Sequence, residues 1–296
     1  MKTRSENRLL ICNSDDFGLT KSVSDAILET YLSGIMTSTT IMANMPAVEY
    51  AAKLAHANKG LGVGIHFNLT EGRPLSEPST VELLLDKNGI FLDNGRQRKN
   101  LMFGKSKTIQ AALELEAQLV RIMDLGIRPT HFDSHHHITG VPCAFEASVA
   151  VAKKLGVPSA RITSIAFSKS PEVTFSNQTR WLLGNFKSLP KTIVHVWNKA
   201  RLRKHGLKTP DVKILPSRVI PQTQNPVEQF IRTLSCLKPG VTEISFHPGY
   251  KGSDPNDSEK TALLRLRDFE VATSPKVSNY LREHGIKLVN FQTAFK

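Results

Sequence analysis

Four clusters of side chains in this 296-residue chain have the types and spacing for chemistry. They are the adjacent carboxylates Asp15 and Asp16 in NSDDFG at 13–18, His66 in GIHFNL at 64–69, the run PTHFDSHHH at 129–137, and His247 in EISFHPG at 243–249. Adjacent carboxylates repel, so a buried pair requires a cation or a shared proton. One carboxylate on a metal and the other free to accept a proton would meet that need. An Asp-rich turn with Gly18 at positive φ is the plainer reading of the same residues. A lone histidine in an apolar strand, such as His66, is more often a satisfied core residue than a ligand. On an extended chain His131, Asp133 and His135 share one face and His136 points the other way. Three consecutive histidines, His135 to His137, are hard to explain by packing. Imidazole is the commonest metal-binding side chain, and a neighbouring carboxylate such as Asp133 often orients it. His247 is suited to acid or base work, because an imidazole titrates near neutrality.

Two histidines and one carboxylate leave coordination positions open, as in hydrolytic zinc sites and in non-haem iron oxygenases. The spare carboxylate and the spare histidine favour hydrolysis, which needs a base for water and an acid for the leaving group.

These residues need a scaffold that brings distant segments together. Short apolar runs alternate with helical patterns. Strands are expected at 8–13, 38–43, 61–68, 130–134, 159–163, 213–220, 242–247 and 287–290. Helices are expected at 21–33 behind the cap Thr20, 47–56, 108–123 behind Thr108, 145–155, 225–237 behind Asn225, and 275–284. This alternation predicts an α/β fold with a mostly parallel sheet covered by helices. All four clusters fall at or just after the carboxyl ends of strands, the edge where such folds bind ligands. With no clean linker and no repeat, 1–296 reads as one domain with insertions at about 71–107 and 165–212.

Hydrophobic residues make up 40% of the chain, enough for a sizeable core, and no apolar run approaches the roughly 18 residues of a membrane span. The first apolar run, Leu9 to Cys12, is too short for a signal peptide, so a cytoplasmic protein is expected. Cys12, Cys143 and Cys236 are few and far apart, which argues for reduced thiols rather than a disulfide framework. The net charge of +13 is concentrated: between 165 and 220 there are eleven Lys and Arg against two acidic residues. Within 176–204, Trp181, Phe186, Trp197 and aliphatic residues interleave with cations, the pattern of a segment that lies on an anionic membrane surface. A helical subdomain with a solvated basic face is the competing reading. No nucleic-acid motif accompanies the charge, so nucleic acid is not an expected partner. The sequence leaves a homodimer open.

Taken together, the motifs resemble those of the YdjC-like family of carbohydrate deacetylases. NSDDFG, GIMTSTTIMAN at 34–44, GIHFNLTEGRPL at 64–75, ELEAQLVRIMDLGIRPTHFDSHHH at 114–137 and TEISFHPG at 242–249 occur in the family's order. Ser14 stands where the family usually shows Ala. Residues 165–212 look more like the hopanoid-associated branch than the chitooligosaccharide-active one. The resemblance implies a distorted (β/α) barrel of the polysaccharide-deacetylase kind. It implies one divalent ion, magnesium or zinc, on Asp16, His66 and His135, with Asp15 as general base and His247 as general acid or oxyanion partner. Asp133 would orient a ligand histidine, and Asn68 and Arg161 would support the ligands or touch substrate. The substrate would be an N-acetylated sugar, oligosaccharide or glycolipid, losing acetate. A metal-dependent hydrolase acting on another bond, or a non-catalytic glycan-binding or regulatory protein on the same barrel, remain the alternatives.

Overall fold

A computed structural model describes residues 7–161, 198–214 and 225–296. Among these residues seven parallel strands form one sheet. In chain order they are β1 (Arg8–Phe17), β2 (Ser38–Ile41), β3 (Gly62–Phe67), β4 (Phe132–Ser134), β5 (Val212–Ile214), β6 (Gly240–Phe246) and β7 (Ile286–Leu288). Their spatial order is β4-β3-β2-β1-β6-β5, with β7 pairing the first residues of β1. Parallel bridges from Phe132 to Ala160 and from Ser159 to Lys208 carry the curl onward from β4. The chain then runs from Lys208 into β5, so the sheet bends round toward itself as a distorted barrel.

Helices cover the outside: α1 (Lys21–Leu32), α2 (Val48–Ala57), α3 (Asn94–Asn100), α4 (Lys105–Asp124), α5 (Pro142–Lys154), α6 (Pro226–Ser235), α7 (Glu259–Thr273), α8 (Pro275–Glu283) and α9 (Phe291–Ala294). Thr20 accepts from Val23 N at the start of α1, and Asn225 accepts from Val227 N and Glu228 N at the start of α6. Both caps satisfy otherwise orphaned amides, as their residue types predict. Helix α4 begins at Lys105, before the expected cap Thr108, whose hydroxyl instead donates back to Gly104 O.

Strand β1 lies at the centre of the sheet between β2 and β6, and from Leu10 onward it is buried. A central strand covered on both faces is apolar along its length, so the polar stretch Asn13 to Asp16 at its end stands out as functional. These carboxylates lie within β1, not after it. The register with β2 slips between Ser14 and Phe17, and Asp16 takes φ of 71°. Such bulges re-aim side chains beside active sites.

Segment 71–107 is more ordered than the expected long loop. It holds two 3₁₀ turns and α3, and it buries Val81, Leu84, Phe91 and Leu101. Glu114 of α4, fully buried, anchors the segment by accepting from the backbone amides of Leu75 and Ser76. Helix α7 lies where the sequence pattern predicts no element. Cys12 and Cys143 are buried free thiols, and Cys236 is half-buried. No helix among the described residues is long and apolar enough to cross a membrane. The amphipathic segment 176–204 lies outside the described residues up to 197, as does most of the 165–212 insertion. The same holds for the expected strands beyond 161 and beyond 214.

Candidate active site

The carboxyl ends of β1, β3, β4 and β6 converge on one cleft of about 770 Å³. Asp16, His66 and His135 each offer a ligand atom, and these atoms lie within 4.8 Å of one another. Asp16 Oδ1 is 3.4 Å from His66 Nε2 and 3.1 Å from His135 Nδ1. All three residues are buried. Two imidazoles and a carboxylate, converging with restricted water access, are a donor set that fits zinc or a similar divalent ion.

Each imidazole is turned by a second carboxylate. His66 and Asp133 are register partners on β3 and β4, so their side chains share a face, and His66 Nδ1 lies 2.6 Å from Asp133 Oδ1. Burial alone would lower the His66 pKa. Asp133 foremost, through its charge and hydrogen bond, and then Asp16 and Asp15 outweigh it and push it up to about 10. His135 Nε2 meets Glu71 Oε2 at 3.0 Å. Such outer contacts fix which nitrogen faces an ion.

Asp15, beside the ion position, is paired with a cation of its own. Arg161 grips it in a fork, Nη1 to Oδ2 and Nη2 to Oδ1, both at 2.6 Å. Asn13 Nδ2 donates to Oδ1 at 3.1 Å. The same guanidinium reaches Asp133 Oδ2 and Glu243 Oε1, each at 2.5 Å. Burial would raise the Asp15 pKa, but the Arg161 charge and hydrogen bonds hold it well below the usual carboxylate range. Asp15, His66 and Asp133 also offer ligand atoms within 4.8 Å of one another. That second grouping is bound up with a guanidinium, which occupies both of its carboxylates. The pairing has an electrostatic cause. Two adjacent buried carboxylates each need their own cation, and Asp16 has one as well, in Arg265 Nη2 at 3.0 Å from Oδ2.

His247, half-buried just past β6, places Nε2 3.6 Å from Asp15 Oδ2. Its backbone amide donates to Asp268 Oδ2 at 2.8 Å, and that oxygen lies 4.0 Å from His247 Nδ1. Asn68 does not reach the cluster. It turns the loop after β3, accepting from Thr70 N and Glu71 N and donating to Glu71 O, so it shapes the segment that presents Glu71. His131 also stays outside the cluster. It stacks on Phe291 with centroids 3.6 Å apart and contacts Asn13 Oδ1 at 3.1 Å.

Sequence reasoning missed Glu71, Lys213, Glu243, Arg265 and Asp268. Glu71 lies inside the GIHFNLTEGRPL motif, five positions from His66, and could have been found there. Lys213 and Glu243 are register partners on β5 and β6, both fully buried. Burial pulls the Lys213 amine down to about 8. No local signal marks Arg265 or Asp268.

The model of the family described as YdjC-like protein matches residues 9–283. A carbohydrate deacetylase of Clostridium beijerinckii is 31% identical over 283 residues, covering 96% of this chain and 98% of its own. A carbohydrate deacetylase of Mus musculus is 28% identical, covering 94% and 92%. Among solved structures, one from Enterococcus faecalis V583, provisionally described as a cellobiose-phosphate cleavage protein, superposes with a TM-score of 0.75. It is 26% identical, and the match covers 97% of this chain and 98% of that one.

Proposed function

Because the chain belongs to the YdjC-like protein family, we propose that it is a carbohydrate deacetylase, a hydrolase that removes the acetyl group from an N-acetylated sugar. The observation that carries this reading is the convergence of Asp16, His66 and His135 beside an ionised Asp15, with His247 bordering the same cleft. A divalent ion, magnesium or zinc, held by Asp16, His66 and His135 would supply Lewis acidity toward the acetamide carbonyl. The chain's own groups supply the proton traffic. Asp15, kept ionised by Arg161, takes a proton from the attacking water. His247, entering the step as the imidazolium beside Asp15, gives its proton to the departing amine as the C–N bond breaks, and Asp268 holds it in place. Water supplies the second oxygen of acetate. Asp133 and Glu71 orient the two imidazoles.

The test is acetate release from N-acetylglucosamine oligomers, with and without chelator. Activity should vanish with chelator and return on adding magnesium or zinc, and His247→Ala should slow it by roughly 10²-fold or more. Sugar binding without acetate under any divalent ion would favour a glycan-binding protein instead. The membrane contact proposed for 176–204 rests on residue pattern alone. Equal liposome sedimentation of the intact protein and a charge-reversed variant would end it.

A further inference from the structure

Two of the three consecutive histidines take no part in the convergent cluster, yet they border the cleft. His136 and His137 adopt φ of 51° and 54°. Side chains with a Cβ visit this left-handed region only at a steric cost. Strain of that kind persists only where surrounding contacts enforce it. Here they do. Arg98 of α3 donates from Nη1 to the carbonyl oxygens of both His136 and His137, at 3.4 and 3.3 Å. Thr70 Oγ1 lies 2.9 Å from His136 Nδ1, and the His136 ring packs 3.9 Å from that of His135. The turn therefore fixes two imidazoles beside the reacting centre.

Asn94, the first residue of α3, lines the same cleft, and its buried Oδ1 has no hydrogen-bond partner among the described residues. A buried acceptor left unmet is destabilising, so the position favours a ligand that brings a donor. Asn256, Ser258 and Thr261 line the same cleft, alongside Asp254 and Asp257. Amides, imidazoles and hydroxyls of this kind match the hydroxyls of a neutral sugar. The cleft's volume lies in the upper part of the roughly 300–1,000 Å³ span of small-molecule sites, which suits more than one ring.

We propose that Asn94, His136 and His137 form a subsite for the sugar joined to the reacting N-acetyl sugar, and that Arg98 is the positioning residue that sets it. The inference deepens the deacetylase reading and rests on it for the identity of the ligand. Segment 71–107 thereby becomes part of the recognition apparatus, since it contributes both Asn94 and Arg98.

The experiment compares N-acetylglucosamine with its β-1,4-linked disaccharide for the wild type, Asn94→Ala, Arg98→Met and Arg98→Lys. The disaccharide-to-monosaccharide ratio of kcat/KM should fall about tenfold in Asn94→Ala and Arg98→Met, chiefly through KM for the disaccharide. Arg98→Lys, which keeps a donor, should recover part of it. Calorimetric binding of the disaccharide in the presence of chelator gives a second readout that needs no turnover. There Asn94→Ala should bind several-fold more weakly. A ratio unchanged in both variants, or equal use of the two sugars by the wild type, would overturn the subsite. If the wild type releases no acetate but still binds the disaccharide in an Asn94-dependent way, the deacetylase reading fails and the subsite stands.

Discussion

Replacing Arg161 by Met should destabilise the protein strongly at neutral pH and much less in mild acid. The guanidinium makes two bonds of 2.6 Å to Asp15 and one of 2.5 Å each to Asp133 and Glu243. Its side chain is 2% exposed, and none of the three carboxylates exceeds 1%. Removing one partner of a buried ion pair costs about 3–5 kcal/mol, because a charge is left in a medium that cannot solvate it. Three carboxylates share this cation, but they can respond by taking up protons, so the losses should not add. We expect a total near the upper end of that range at pH 8, which for a chain of this size lowers Tm by on the order of 10 °C. The sign with pH is diagnostic. In the wild type, the depressed Asp15 pKa contributes stability that is fully present above the unfolded value near 4, and is lost only as pH falls through the folded value. Between about pH 5 and 8 this group should therefore leave wild-type stability flat. In Arg161→Met, burial without the cation raises the carboxylates, so stability should fall as pH rises across the same window. Thermal and urea unfolding followed by circular dichroism at both pH values, with Arg161→Lys as the charge-retaining control, measures this. A loss under about 1 kcal/mol at pH 8, or an equal loss at both values, would refute the reasoning.

Glu71→Gln removes the carboxylate that faces His135 Nε2 and should weaken binding of zinc or magnesium roughly 10–100-fold by calorimetry, with little change in fold. Asp268 is pushed up to about 7 by burial, so the folded state holds its proton more tightly than the unfolded chain does. This group should therefore cost stability as pH rises from about 4 to about 7, and Asp268→Asn should flatten that slope in thermal melts. In Gly249→Ala a Cβ would sit 2.5 Å from Ser253 Oγ and 2.9 Å from Arg265 Cδ. We expect a loss of roughly 1–3 kcal/mol by denaturation, with weaker ion binding as Arg265 shifts against Asp16.

The chemistry-bearing strand ends were legible because a parallel sheet writes itself into sequence. Buried strands such as β1 and β3 are apolar runs, and a polar residue closing such a run has few reasons to be there except function. Asp15, Asp16, His66, His135 and His247 could thus be assigned to one edge of the fold from alternation and motif alone, with the family resemblance joining them. What could not be read was the pairing of charges. Helix α7 leaves no apolar stripe in the sequence, because its inward face carries Arg265 and Asp268 alongside Val271 and Ala272, while Leu263 is exposed. An apolar stripe is the sequence trace of a helix on an oily core, and a helix that faces a charged site loses that trace. Likewise Arg161 and Asp15 are 146 positions apart, and Arg265 and Asp16 are 249 apart. Residue types along the chain determined which strands would carry the donors. Only the closing of the sheet decided which cation neutralises which carboxylate, because that choice depends on distance through a poorly solvating interior and leaves no local mark on the sequence.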